Sequence, residues 1–433
     1  MHFRRAIICV LSAVSVASLV GHKVYFAMTK HGRSRRADGL PQNFWSNDDE
    51  VVPDYDYGGG TEAAASESDV AAATADRNRD ADDAARDDYV VYASVHRSFK
   101  YVDDESVTLA THGGVRQLWR LLALVDAWDG PITVAVYAPA SDFYSAYSAV
   151  LGLRDCSRKL RYKVTFYMFY HRDHPPQGPS SRDMSDHCSP DFRPRMTYLE
   201  RSRIEYPAAK AANIAKRNAD SRYVIGVDID LLPNRRDLME TFVDMLGKRS
   251  EEGGASARKV IYVLPVFVVE LGQRLPQTKR ELNELLAKRS ARVSRVNRCS
   301  KCRRLPDHTA WFQLRDSDGL NATAVPDWVT MAASAYIGHR DGPLTSLKWD
   351  ELKENIHQVY ELCRAGYAFH MIDNAWLMHT PRNATPARES ESDGRLDWHP
   401  TNVTLNDIDE RYNNVTKPYC RSCLRSVYTI HDE

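Results

Sequence analysis

The sequence has no excess of charge of either sign. Its 433 residues contain 58 Lys and Arg and 58 Asp and Glu, so the formal net charge is zero. Such a chain has no overall field to attract nucleic acid, and no nucleic-acid partner is predicted. The sequence also shows no internal repeat. The length favours one domain of roughly 250–300 residues with appended segments.

The sequence has no unbroken apolar run long enough to identify a membrane span by itself. Arg4 and Arg5 precede an apolar segment at 6–20, which continues with interruptions to Met28. A membrane-spanning helix needs roughly 20 apolar residues, whereas a signal-peptide core needs about 7–15. We predict an uncleaved signal anchor at 6–28 behind a cytoplasmic tail at 1–5, with a cleaved signal peptide as the alternative.

Large apolar residues are scarce between Glu50 and Asp88, where Asp, Ala, Gly and Ser dominate. This composition is typical of a solvated tether, so 29–88 is predicted to be a disordered stem. Four acceptor triplets for N-glycosylation follow much later, at Asn321, Asn383, Asn402 and Asn414. Together with the anchor, they predict a domain in the lumen of the secretory pathway.

Strand-like and helix-like segments alternate from Tyr89 onward. The predicted strands are Val107–His112, Ile132–Tyr137, Tyr162–Tyr170, Tyr223–Val227, Val260–Val269 and Ala368–Ile372. The predicted helices are Val115–Trp128, Asp142–Leu151, Pro207–Asp220, Leu238–Leu246, Gln277–Lys288 and Glu351–Arg364. This alternation predicts an α/β fold, with a doubly wound, mostly parallel sheet in a single catalytic domain.

Two carboxylates, Asp228 and Asp230, follow directly after the hydrophobic strand that starts at Tyr223. Alternation along a strand would put both on one face, with Ile229 on the other. Ligands of open α/β sheets bind beyond the carboxyl ends of the strands. A pair of carboxylates there suits a hard divalent cation that keeps positions open for phosphate oxygens. The structural alternative is an aspartate that caps the next helix, which begins near Arg236.

The eight cysteines include two Cys-x-x-Cys pairs, Cys299 with Cys302 and Cys420 with Cys423. Four such ligands would suit zinc, and a secreted zinc protein is one reading. An oxidising compartment favours disulfides instead. Cys156 and Cys188 are candidates for a bridge. With Cys9 in the anchor, the remaining number is odd, and Cys363 is the candidate for an unpaired, buried thiol.

Taken in order, a series of stretches between Glu105 and Arg382 resembles the glycosyltransferases of family 49, which include glucuronyltransferases. The stretches are Val107–His112, Trp128–Tyr137, Tyr206–Pro207, Asn213–Ala215, Tyr223–Pro233, Pro265–Phe267, Pro276–Leu282, Cys299–Cys302, Arg340–Pro343 and Tyr367–Pro381. The resemblance implies a GT-A fold, which we assign to 89–382. It also implies a type II anchor in the Golgi membrane and Mn²⁺-dependent, inverting transfer from a UDP-sugar. The polar tail at 383–433, with its acceptor triplets and cysteines, is predicted to be a carboxyl-terminal extension.

The resemblance also implies roles for individual residues. Asp228 and Asp230 would bind the metal, completed by His379. Thr111, His112, Asn213 and Asp228 would contact the donor, with an ordinary polar helix residue as the alternative for Asn213.

The sequence departs from the family pattern on the acceptor side. Val268 stands where the family commonly has Glu, and the pattern expected after Pro343 is absent. Ala212 also replaces a usual Arg. An inverting transfer needs a general base for the acceptor hydroxyl. The candidates are Asp341, Asp350, Glu351 and Glu270, although acids at helix starts often serve as caps instead.

These features predict an active Golgi enzyme that transfers glucuronic acid or N-acetylglucosamine to a hydroxyl of a glycan or glycoprotein. The alternative is a catalytically inactive relative that binds glycan or acts as a scaffold. The sequence is compatible with a homodimer.

Overall fold

The computed structural model describes residues 88–98, 105–178, 196–251, 259–294, 311–312, 319–325, 335–345, 347, 356–379, 408–412 and 420. All of these belong to one compact unit, Ala64–Glu433. The predicted anchor and the stem up to residue 87 lie outside the described ranges. So do Asn383, Asn402, Asn414, Cys9, Cys188, Cys299, Cys302 and Cys423. Among the described helices, none is long and apolar enough to cross a membrane.

The described chain alternates between strands and helices as predicted. The strands are β1 Tyr89–His96, β2 Val107–Gly114, β3 Ile132–Tyr137, β4 Val164–His171, β5 Tyr223–Gly226, β6 Leu231–Pro233, β7 Val260–Leu264, β8 Val266–Val269, β9 Ala291–Val293, β10 Ala322–Ala324, β11 Ala335–His339, β12 Ala368–Ile372 and β13 Leu377–His379. The helices are α1 Leu121–Ala127, α2 Asp142–Cys156, α3 Arg158–Lys163, α4 Tyr198–Arg201, α5 Ala208–Arg217, α6 Leu238–Glu251, α7 Lys279–Ala287 and α8 Ile356–Arg364. A 3₁₀ helix at Val115–Arg120 precedes α1.

Nine strands form the main sheet, in the order β1-β4-β3-β2-β5-β11-β7-β12-β10. Strands β2, β3, β4, β5, β7 and β12 point in one direction, and β1, β10 and β11 oppose them. The predicted α/β class is confirmed. A mixed, mostly parallel sheet flanked by helices fits a GT-A-type domain.

The main sheet is covered on both faces, because its strands alternate between two cores. Leu109 and Ile225 face the larger core, which also receives side chains from α1, α2 and α6. Their neighbours Ala110 and Val224 face the second core, which α5 builds with small residues such as Ala211. The small residues let α5 approach the sheet closely, beside the carboxyl ends of β2 and β3.

Pro265 divides the segment predicted as one strand, Val260–Val269, into two strands in different sheets. Proline has no N–H to donate to a ladder, so the pairing of β7 stops before it. After it, β8 joins a four-stranded sheet with the order β6-β13-β8-β9. In this small sheet β6, which follows the aspartate pair, lies next to β13, which ends at His379.

The prediction that Cys363 is unpaired is wrong. Cys363 on α8 forms a disulfide with Cys420, with 6.0 Å between the Cα atoms. Cys420 is therefore not bonded to Cys423 and is not a zinc ligand. Cys156 is also disulfide-bonded, but its predicted partner, Cys188, lies outside the described ranges.

Candidate active site

The aspartate pair lies at the carboxyl ends of β2 and β5. The two strands are parallel, with Ala110 opposite Gly226, and the pairing continues through a 3.0 Å hydrogen bond from Val227 N to Ala110 O. Asp228 therefore lies beside His112. The side chain of Asp228 is exposed, whereas Ile229 is buried in the larger core.

The local conformation of the pair differs from the prediction. The strand ends at Gly226, and the two carboxylates lie in a turn that Leu231 N closes on Asp228 O at 3.0 Å. After the turn the chain enters β6, which leaves the main sheet and pairs antiparallel with β13 in the small sheet.

Asp230 contacts two side chains that come from distant parts of the chain. Its Oδ2 is 3.0 Å from Nη1 of Arg120 and 3.0 Å from Nε2 of His379. Antiparallel pairing of Leu231 with His379 explains the second contact, since it places the histidine next to the turn. Only 11% of the Asp230 side chain is exposed.

Arg120 reaches Asp230 because β2 passes directly into the 3₁₀ helix. The Gly114 N–H donates a 2.7 Å hydrogen bond to Oε1 of Gln117, which closes the first turn. A Cβ at Gly114 would lie 3.2 Å from that oxygen, so a glycine suits this tight approach. Arg120 was not predicted as a site residue, and no sequence motif marks it.

Asp230 and His379 fit a divalent cation. Carboxylate oxygen and imidazole nitrogen both bind Mn²⁺. Their 3.0 Å separation is the spacing of adjacent ligands on an octahedral ion with bonds of about 2.1 Å. Within the described residues, however, no three His, Cys, Asp or Glu side chains are close enough to hold a metal. The structure therefore brings together two of the three predicted ligands, and Asp228 stands apart.

A half-buried aromatic pair lies on the other side of Asp228. The rings of His112 and Tyr206 are stacked, with centroids 5.7 Å apart and an angle of 24° between the planes, and Nδ1 is 3.0 Å from the phenol oxygen. Burial lowers the pKa of His112 below its ordinary value, and the charge of Asp228 opposes this shift. A neutral, flat pair of rings beside a carboxylate suits a planar ligand. Tyr206 lies in one of the stretches that resemble the family, but no role was predicted for it.

Two of the predicted donor contacts do not reach this surface. The side chain of Thr111 is fully buried, and its Oγ1 has no hydrogen-bond partner among the described residues. Asn213 donates to Thr345 O at 2.7 Å and accepts from Thr345 N at 2.9 Å. The alternative reading of Asn213, a polar helix residue with a structural function, agrees with these bonds.

The candidate base Asp341 lies at the opposite end of the main sheet, where β5 begins. β11 runs antiparallel to β5, with His339 opposite Tyr223, and Arg340 N donates to Arg222 O at 2.7 Å. Asp341 is therefore level with the start of β5, about 20 Å from the aspartate pair. The structure does not bring it to the site.

Glu270 lies at the same end of the strands as His379 and the aspartate pair. β8 is parallel to β13, with Val268 opposite His379, and Glu270 follows the last residue of β8. Its side chain is exposed. From the strand dimensions, its Cα is about 8 Å from that of His379. Asp350 and Glu351, the other candidates, lie outside the described residues.

The match to a known family decides the class of this protein. The family described as "Glycosyl-transferase for dystroglycan" matches residues 106–412. The chain belongs to this glycosyltransferase family. The predicted family and the predicted enzyme class, a UDP-sugar glycosyltransferase, are thereby confirmed.

Several curated members of the family are similar to this chain. Beta-1,4-glucuronyltransferase 1 of Danio rerio is 28% identical over 291 residues, covering 63% of this chain and 66% of the relative. The Homo sapiens protein of the same name is 25% identical over 310 residues, covering 68% and 72%. The chain thus spans about two thirds of the length of the curated relatives it matches. A crystal structure of GalNAc-T7 with UDP, GalNAc and Mn²⁺ aligns at a TM-score of 0.33 and 10% identity, over 70% of this chain and 47% of that one.

Proposed function

We propose that this protein is a metal-assisted, inverting glucuronyltransferase that uses UDP-glucuronic acid and a glycan hydroxyl. The observation that carries the proposal is the contact of Asp230 with both Arg120 and His379 at the carboxyl edge of the sheet. The relatives named as glucuronyltransferases support the choice of sugar, and N-acetylglucosamine is the alternative donor sugar. The predicted anchor and acceptor triplets support a type II protein of the Golgi membrane.

In this proposal the aromatic pair and the aspartate pair contact different parts of the donor. His112 and Tyr206 offer a flat surface for the uracil base, which gains from stacking on aromatic rings. Asp228 lies between these rings and Asp230, where the ribose and the diphosphate would pass.

Asp230 and His379 would hold Mn²⁺, which supplies Lewis-acid stabilisation of the departing diphosphate. Two protein ligands are sufficient for such an ion when substrate phosphates and water complete its shell. The guanidinium of Arg120 holds a fixed positive charge beside Asp230. It therefore orients the carboxylate and adds to the field that stabilises UDP as it leaves.

Glu270 is the proposed general base. Its carboxylate accepts the proton of the acceptor hydroxyl while the hydroxyl oxygen bonds to the anomeric carbon and the bond to the diphosphate oxygen breaks. The acceptor enters from the side of β8, opposite the diphosphate, as inversion requires. This assignment also accounts for Val268 at the usual glutamate position, because the carboxylate is displaced two residues along the same strand direction.

The function is tested by following UDP release from a panel of UDP-sugars with the full-length chain, with Mn²⁺ and with chelator. We expect chelator-sensitive release that is fastest with UDP-glucuronic acid. His379→Ala should weaken the apparent affinity for Mn²⁺ by at least tenfold, because one of two protein ligands is lost. A metal titration that is unchanged in this variant would make the histidine structural. Binding and release of no UDP-sugar would favour the scaffold alternative.

The base is tested by comparing Glu270→Gln with Asp341→Asn. Loss of a general base costs about 10²–10⁴-fold in rate, so Glu270→Gln should lower kcat by that factor. Asp341→Asn serves as the matched control at the far edge and should keep kcat within about threefold. Wild-type turnover in Glu270→Gln would return the assignment to Asp350 or Glu351.

A further inference from the structure

One row of residues runs in register across all four strands of the small sheet. In the order β6, β13, β8 and β9, its members are Leu231, His379, Val268 and Arg292. Residues opposite each other on adjacent strands project to the same side. The four side chains therefore share one face, here called the site face. The other face, which includes Phe267, packs into a separate core.

The site face has a buried end and an open end. Val266 and Leu377 lie one row earlier and pack into the larger core. At the open end, 33% of the His379 side chain is exposed, and Arg292 is exposed. The site face therefore opens to solvent at the edge that carries the proposed metal ligands.

Arg292 is an available cation at this open end. It lies on β9, the outermost strand, and within the described part of the chain it makes no ion pair or side-chain hydrogen bond. Arg120, by contrast, contacts Asp230. Exposed arginines are common on protein surfaces, but this one is level with His379 on the same face. Two strand spacings, about 10 Å, separate the two residues.

Glu270 lies next to Arg292 without neutralising it. Glu270 N donates to Ser290 O at 2.9 Å, so Arg292 is two residues further along β9, on the diagonal. Diagonal neighbours have Cα atoms about 7–8 Å apart, and no ion pair joins these two described side chains. The open end thus presents a carboxylate and a guanidinium side by side, neither of which neutralises the other.

We infer that Arg292 binds the carboxylate of a hexuronic acid unit in a substrate, which sets the preference of the enzyme for acidic sugars. The inference rests on the proposed function, which puts the diphosphate at Asp230 and His379. Arg292 lies about 10 Å from His379 on the same face, which is within reach of a sugar attached to that diphosphate. The planar guanidinium can donate two parallel hydrogen bonds to a carboxylate, and a neutral hexose offers no group for this geometry.

The test compares binding of UDP-glucuronic acid and UDP-glucose to the full-length chain with Mn²⁺ present. These donors differ only at C6, which is a carboxylate in one and a hydroxymethyl group in the other. In Arg292→Gln we expect the ratio of their affinities to fall at least tenfold, while the affinity for UDP itself stays constant. Arg292→Lys keeps the charge without the fork and should fall between. Arg158→Gln, which removes another exposed arginine, at the start of α3, is the matched control and should keep the wild-type ratio.

A second arm distinguishes the two sources of a carboxylate. Acceptors ending in glucuronic acid or in glucose are compared with a fixed donor. If the donor ratio holds but the preference for the acidic acceptor falls tenfold, Arg292 binds the acceptor carboxylate, which also supports the inference. If neither preference changes in Arg292→Gln, while the wild type still binds UDP-glucuronic acid, the inference about Arg292 is overturned alone. A wild type that binds no UDP-sugar overturns the proposed function and this inference together.

Discussion

Two arginine–carboxylate pairs in this molecule have nearly the same contact distance and very different surroundings. Arg120 lies 3.0 Å from Asp230 at the sheet edge, and Arg411 lies 2.9 Å from Glu361 on α8. Asp230 keeps 11% of its side chain exposed and also contacts His379. Glu361 is fully buried and accepts a second hydrogen bond from the Tyr412 hydroxyl at 3.2 Å.

The difference shows that an ion pair is defined by what surrounds it. Glu361 lies on the same helix as Cys363, which is bonded to Cys420, and both Arg411 and the Tyr412 hydroxyl donate to its Oε1. Replacing Glu361 would leave Arg411, 24% of whose side chain is exposed, without its buried carboxylate partner. Asp230 instead keeps part of its side chain exposed and lies two residues from the exposed Asp228. We therefore expect the Glu361 pair to affect mainly stability and the Asp230 pair, if the proposed function holds, to affect mainly activity.

The sharpest way to test this contrast is Asp230→Asn. The change removes the negative charge that would hold a divalent cation but keeps the shape of the side chain. We expect kcat/KM to fall by about 10³-fold or more, because the loss of metal stabilisation costs several kcal/mol. The melting temperature should move by only a few degrees. Turnover at the wild-type level would disprove the metal assignment.

Glu361→Gln should reverse the pattern. Removing one partner of a buried pair costs about 3 kcal/mol, which lowers the melting temperature by roughly 6–12 °C. The kcat of the folded protein at 25 °C should stay unchanged, since α8 does not contribute to the proposed site. Glu240→Gln, at an exposed position on α6, is the control and should leave both quantities unchanged. A loss of kcat without loss of stability would mean that this cluster acts on the site.

Much of the main sheet could be predicted because its strands are local and strongly patterned. Ile132–Tyr137 and Ala368–Ile372 have the predicted bounds. The short strands β6 and β13 were not predicted, since three residues cannot show a period. These two strands bring His379 to Asp230. The family resemblance indicated this contact, whereas hydrophobic periodicity did not.

Properties that depend on long-range pairing could not be predicted from the sequence. The direction of β11 places Asp341 far from the aspartate pair, and direction is set by connections that local patterns do not encode. The bonding of Cys363 to Cys420 has the same origin, because a spacing of 57 residues carries no pairing information. The Cys-x-x-Cys spacing suggested a local partner for Cys420 instead.

Asp129 forms the most exposed ion pair of this comparison, and its loss should have the smallest effect on stability. Its carboxylate lies 2.9 Å from Lys163 and 2.7 Å from Arg236, with 45% of the side chain exposed. Burial alone would raise the pKa of Asp129, but the hydrogen bonds from Arg236 and Lys163 outweigh it and lower the pKa. A lowered pKa stabilises the fold above the unfolded value of about 3.9, and this contribution is lost as the pH falls through the folded value.

Asp129→Asn should therefore cost only about 0.5 kcal/mol at pH 7, because water and salt screen the pair. The stability difference from the wild type should shrink below about pH 4 and should also shrink in high salt. Urea unfolding at several pH values measures both trends, with Asp126→Asn as a control for an exposed neighbour. A loss as large as that of Glu361→Gln would show that contact distance, rather than burial, sets the strength of these pairs, and the comparison would fail.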